Sequence, residues 1–206
     1  TNDILERIKT VKLLKTIEKD RVFFKIEEID EIIDMSTTFI KSISPMKLKA
    51  ILYFMFYSGV RKQELTNLKR ADINLDEEYA VIKAPTKTKK ERKVPFTKEV
   101  KQILQLYFST EPEQIGAFNI SYSQLHNLFV RLRQFAPNNK PFTPHILRTS
   151  FFYFLAKSGF NLRQMQKLGG HTSIESTQRY YNPTEDEALS VYKEMLQHKK
   201  PKKKKR

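Results

Sequence analysis

Several residues of this chain have the chemistry to handle a phosphate, and they occur in a definite order. Arg61 follows Gly59-Val60 in the stretch GVRKQEL. His145 and Arg148, in PHILR, stand three positions apart, which puts both on one face at the start of a helix. Unpaired backbone N–H groups at such a start also favour anions. His171 closes the stretch Gly169-Gly170-His171, 23 residues after Arg148, and Tyr180 lies nine residues further on, in STQRYYNP. A basic segment, TKTKKERK, runs between the first arginine and the first histidine. Singly, each feature is ordinary. An arginine past a helix end is usually a surface residue or an ion-pair partner. A histidine near a helix start is usually structural, a tyrosine in an amphipathic helix usually core, and lysines in a hairpin loop usually solvated. The order and spacing of the set are what point to a site.

With these residues in this order, the sequence resembles the tyrosine recombinases, the phage integrase family, over roughly Phe23 to Pro183. GVRKQEL resembles the family's first-arginine box, with Glu64 at its acidic position, and PHILR the His-x-x-Arg box. LGGH and STQRYY are similar to the second-histidine and nucleophile boxes. The resemblance implies Arg61 as the first arginine, Lys87 as the hairpin lysine, His145 and Arg148 as the central pair, His171 as the second histidine and Tyr180 as the nucleophile. Two departures stand out. Thr149 occupies a position where many members carry histidine, a neutral change. Tyr181 directly follows Tyr180; spacing from His171 favours Tyr180, and the neighbour points about 100° away around a helix.

The roles implied by that resemblance make chemical sense. Phosphoryl transfer depends mainly on positioning and on stabilising charge at the non-bridging oxygens. Two guanidiniums, Arg61 and Arg148, can grip those oxygens bidentately. A phenol with a pKa of about 10 is a poor nucleophile until cations stabilise its phenolate, which gives Tyr180 a reason to sit beside them. Lys87 would protonate the leaving 5′ oxygen, its own pKa lowered by neighbouring cations. His145 would accept or share the tyrosine proton, and His171 would hydrogen-bond a phosphate oxygen. Attack would leave a covalent 3′-phosphotyrosine and a free 5′-hydroxyl, conserving the bond energy for religation without ATP. The sequence shows no carboxylate cluster resembling a metal site, so metal-independent cleavage without cofactors is expected. Lys89, Lys90, Arg92 and Lys93 beside the hairpin, and Arg131 and Arg133 before the His-x-x-Arg box, are expected to contact double-stranded DNA. A type IB topoisomerase-like relaxing enzyme and a catalytically inactive DNA-binding protein are the alternative readings.

Around these residues the sequence predicts a mainly helical domain with a small antiparallel three-stranded β-sheet. The resemblance identifies this as the DNA breaking-rejoining enzyme fold. Helices are expected over Ile26–Ile40, from Pro45 to the stop at Gly59, and over Arg61–Leu68. Further helices are expected at 97–108, 123–135, 143–158, 161–168, 173–181 and 185–198. Ser44-Pro45 and Thr143-Pro144 are cap-plus-proline starts, and Thr184 with Glu187 makes a capping-box pattern. Strands are expected over Asp72–Leu75, Tyr79–Ala84 and Arg92–Phe96. An amphipathic segment, Ile4–Ile17, reads as a lead-in helix or linker within residues 1–21, ahead of a catalytic domain over 22–183. The family usually carries a separate N-terminal DNA-clamping domain, so a catalytic fragment or a short form is expected.

The terminal helix at 184–198 would pack either on its own domain or, by analogy with the family, in trans on a neighbouring protomer of a tetramer. Composition agrees with this reading. The 206 residues include 15 Phe and 9 Tyr, too much aromatic material for a disordered chain. The absence of cysteine excludes disulfides, thiolate metal sites and a cysteine nucleophile. The net charge of +15 implies an anionic partner, and seven of those charges lie in the tail Lys199–Arg206. That tail resembles a nuclear-import signal as much as a DNA-binding tail. No membrane segment or signal peptide is recognisable, so a cytoplasmic, nucleoid-associated protein is expected, nuclear in a eukaryotic host.

Overall fold

The computed structural model describes residues 22–83 and 91–170. The expected helices at Ile4–Ile17, 173–181 and 185–198 lie outside the described residues. Within them the order is α1 (Ile26–Thr37), α2 (Pro45–Ser58), α3 (Lys62–Asn67), β1 (Ile73–Asn74), β2 (Tyr79–Ile82), β3 (Arg92–Pro95), α4 (Lys98–Thr110), α5 (Tyr122–Leu132), α6 (Pro144–Lys157) and α7 (Leu162–Gly169). The expected class, mainly helical with one small antiparallel sheet, is what the chain adopts.

α2 is the centre of the core. Ser44 caps it by accepting from the Lys47 N–H at 3.3 Å, and Pro45 opens it. Apolar residues on every side, Leu48 and Ala50 through Phe56, are buried, so this helix packs all round instead of presenting one stripe. α1, α4 and α6 lie against it. α1 contributes Ile29, Ile32 and Ile33 at helical spacing, and α4 contributes Val100, Leu104, Tyr107 and Phe108. Gly59 stops α2 in the left-handed region, with φ of 60°. A Cβ there would also stand 2.2 Å from the Phe151 ring, so no other residue fits.

The sheet runs β1-β2-β3, antiparallel throughout, with Ala80 opposite Val94 and Ile82 opposite Arg92. Ala80, Ile82 and Val94 face the core, while Lys93 points to solvent. Two helices end earlier than expected. α1 gives way after Thr37 because Phe39 and Ile40 both donate to the Ser36 carbonyl, a turn that still buries Ile40. α5 ends at Leu132, and Arg133–Phe135 tightens into a 3₁₀ turn ahead of Pro137, which cannot continue a helix.

Candidate active site

α6 begins with Thr143 accepting from the Ile146 N–H at 3.3 Å and Pro144 at the first helical position. This start fixes the face on which His145 and Arg148 sit. His145 is exposed in the first turn, and its backbone carbonyl accepts from the Thr149 hydroxyl at 3.0 Å. Thr149 therefore spends its hydroxyl on its own helix. Arg148, one turn further in, is only 5% exposed. A buried guanidinium is costly unless its N–H groups find acceptors. Here Nη1 donates to the Gly59 carbonyl, Nη2 donates to the Gly169 carbonyl at 2.7 Å, and the group lies 5.0 Å from the centre of the Phe152 ring. Gly169 permits this approach. A Cβ on it would meet Phe152 at 2.5 Å and Arg148 Nη2 at 3.2 Å.

Arg61 lies just ahead of α3, two residues beyond the carbonyl that holds Arg148. Its side chain is 43% exposed. Nη2 donates to the Gly170 carbonyl at 3.2 Å, and Nη1 donates to Glu64 Oε1 at 2.9 Å. Its backbone N–H donates to Glu64 Oε2 at 2.7 Å, so the acid also caps the helix. Burial alone would raise the Glu64 pKa. Hydrogen bonds and charge from Arg92, with the bonds from Arg61, outweigh it and hold the group at about 2.

The end of α7 receives all three arginines. Arg92 Nε donates to the Leu168 carbonyl at 2.9 Å, Arg148 to Gly169 and Arg61 to Gly170. The last carbonyls of a helix lack intrahelical partners and carry the negative end of its dipole, so cations belong there. The arrangement brings Arg61 and Arg148 onto adjacent carbonyls, and it leaves Arg61 partly open to an anion.

The remaining expected residues divide. Lys87, Lys89, Lys90, His171 and Tyr180 lie outside the described residues. Lys93 is exposed on β3, its ammonium 4.0 Å from the centre of the Tyr79 ring. Arg131 and Arg133 are exposed at the end of α5 and in the turn after it, with Arg131 donating to Ser42 Oγ at 2.9 Å. Arg92, expected on the DNA backbone, has protein partners instead. Its side chain is 14% exposed, and Nη1 and Nη2 donate to both oxygens of Glu64 at 2.9 and 2.7 Å. Strand alternation carried the signal: Arg92, Val94 and Phe96 share a face, and the last two are plainly core.

Comparison with known proteins agrees with the fold. Residues 23–187 match the phage integrase family. The tyrosine recombinase XerC of Leptospira interrogans is 28% identical over 204 residues, covering 91% of this chain and 62% of that protein. XerD of Staphylococcus saprophyticus is 28% identical, covering 88% of this chain and 66% of that protein. The chain thus spans a little under two thirds of the length of these relatives. The crystal structure of XerA recombinase superposes with a TM-score of 0.68 at 25% identity, covering 88% of this chain and 66% of that one. The Tn1549 transposon integrase in complex with transposon right-end DNA shares the fold, with a TM-score of 0.71 at 19% identity and 89% and 68% coverage. The relatives named here are recombinases and integrases, and neither the topoisomerase-like nor the inactive alternative gains support from them. With most of its length matched and its architecture shared, the chain belongs to the phage integrase family and carries a tyrosine recombinase catalytic domain.

Proposed function

We propose that the chain cleaves and rejoins DNA strands in site-specific recombination, through a covalent 3′-phosphotyrosine formed by Tyr180. The observation that carries this reading is the pair of arginines, Arg61 and Arg148, held on the adjacent carbonyls of Gly170 and Gly169. Two guanidiniums so placed suit a single phosphodiester. In this reading they neutralise the non-bridging oxygens, and His145, three residues before Arg148, shares the tyrosine proton. Lys87 protonates the departing 5′ oxygen, and His171, the next residue after the carbonyls that hold the arginines, donates to a phosphate oxygen. Lys89, Lys90, Lys93, Arg131 and Arg133 supply contacts to the duplex backbone. The partner is double-stranded DNA, engaged by a homotetramer. A groove lined by Phe56, Tyr57, Phe151, Phe154, Leu155 and Phe160 has the chemistry to receive the apolar residues Leu189, Tyr192, Met195 and Leu196 from a neighbour's C-terminal segment.

The test is trapping on a nicked suicide substrate, whose cleaved end diffuses away and prevents religation. Wild-type chain should form a denaturant-resistant protein–DNA adduct, with the adduct mapping to the Tyr180 peptide. Tyr180→Phe should bind the duplex with unchanged affinity and form none. Adducts that persist in Tyr180→Phe and vanish in Tyr181→Phe would move the nucleophile by one residue. No adduct under any condition would overturn the reading.

A further inference from the structure

We propose that Arg92 is a positioning residue for strand cleavage: it fixes Glu64, through Glu64 it orients the guanidinium of Arg61, and it keeps the three-residue cluster net positive. The inference rests on the cleavage reading above.

The geometry starts with the sheet. Arg92 pairs with Ile82 across β2 and β3, and alternation turns its side chain to the face shared with Val94. It therefore points beneath α3 and α7, away from solvent. All three of its nitrogens are engaged. Nε holds the Leu168 carbonyl, and the two Nη atoms form a fork on Glu64. One side chain thus ties β3 to the start of α3 and to the end of α7. Lysine, with one compact ammonium, cannot make these three bonds in fixed directions.

The carboxylate is shared evenly. Oε1 accepts from Arg61 Nη1 and Arg92 Nη1, each at 2.9 Å. Oε2 accepts from the Arg61 backbone N–H and from Arg92 Nη2, each at 2.7 Å. This has an electrostatic consequence. Glu64 facing Arg61 alone would form a pair with no net charge, and the attraction of Arg61 for a phosphate would be largely spent. With Arg92 present, the trio keeps one positive charge, and Arg61 is the member that is exposed. There is a steric consequence as well. The Gly170 carbonyl that holds Arg61 and the Leu168 carbonyl that holds Arg92 lie two residues apart, so Arg92 also braces the end of α7, which Gly170 stops in the left-handed region with φ of 57°.

The experiment is a double-mutant cycle on single-turnover cleavage of the suicide substrate, using the 206-residue chain at saturating DNA. Arg92→Gln should lower the rate by about 100-fold, the size of effect a misplacement near 1 Å produces. Arg92→Lys, which keeps the charge and loses the fork, should recover part of it. Duplex affinity should fall far less than the rate, and its salt slope should stay close to that of wild type, because contacts along the whole duplex carry most of the binding. Because Arg92 acts through Glu64, the double variant Arg92→Gln/Glu64→Gln should be no slower than the slower single variant. Multiplicative losses in the double variant would overturn the proposal. So would weakened binding with a salt slope reduced by about one and an unchanged saturated rate, the signature of a direct phosphate contact. If Arg92→Gln fails to fold, the cycle of Arg92→Lys with Glu64→Asp is read in the same way. Failure of wild-type chain to form any adduct would overturn the cleavage reading itself.

Discussion

Glu64 shows how one side chain can set the electrostatics of a site. Its carboxylate is 15% exposed and lies between two guanidiniums. Its pKa stands at about 2, below its ordinary 4.5. A carboxyl whose folded pKa is depressed binds fewer protons in the native state than in the unfolded chain. Its stabilising contribution is therefore complete above about pH 4.5 and is lost as pH falls through about 2. At neutral pH it amounts to on the order of 3 kcal/mol. Glu64→Gln should lower stability at pH 7 and flatten the acid limb. Denaturant unfolding between pH 6 and 2 should show wild type and variant converging as pH falls. Parallel curves across that range would show that Glu64 is not held by the arginines.

α6 carries His145 and Arg148, and its start decides where they point. Thr143 supplies the N-cap bond, and Ser150, further along, accepts from the Phe24 N–H at 2.8 Å and pins the helix to the opening of the domain. Thr143→Ala should cost about 1 kcal/mol in denaturant unfolding. It should also slow cleavage at saturating DNA more than it weakens duplex binding, because the loosened turn carries His145 and Arg148, the residues proposed to share the tyrosine proton and to hold the phosphate. Equal losses in binding and rate would place the effect outside that turn. Ser44-Pro45 and Thr143-Pro144 were legible as caps in the sequence because they are local, and the structure adds Thr97, Ser121 with Gln124 and Asn161 with Gln164, each opening a helix. The end of α5 was less legible. The apolar periodicity runs on past Leu132, and only the 3₁₀ tightening before Pro137 stops it.

At the scale of the molecule, net charge and site are separable. Seven of the fifteen excess positive charges lie in Lys199–Arg206. Removing that tail should weaken binding to duplex of any sequence and make the dependence of log affinity on log salt shallower, by about 0.9 for each phosphate the tail neutralises. The rate of suicide-substrate cleavage at saturation should not change. A fall in that saturated rate, with affinity intact, would mean that the tail takes part in assembling the site. Among the described residues no helix is long and apolar enough to cross a membrane.

Among the described residues, the sequence by itself determined the helices, the cap-plus-proline starts at Ser44-Pro45 and Thr143-Pro144, the three strands and the core helix α2, and it carried the order of the chemically demanding residues. These depend on local spacing, on proline and glycine as stops, and on motifs whose members lie near one another in the chain. It could not say what each arginine touches, because their partners are distant. Arg148 lies 89 residues from Gly59, Arg61 lies 109 from Gly170, and Arg92 lies 28 from Glu64 and 76 from Leu168. Strand alternation in the sequence implied that Arg92 and Lys93, adjacent in a basic segment, part company, but only the tertiary structure showed Glu64 and Leu168 as the partners of Arg92. A strand sends successive side chains to opposite faces, so one braces the half-buried Glu64 carboxylate and its neighbour meets solvent. Only packing could put Leu168, Gly169 and Gly170 where three arginines reach them, since orphan carbonyls at a helix end accept whatever donors the fold brings.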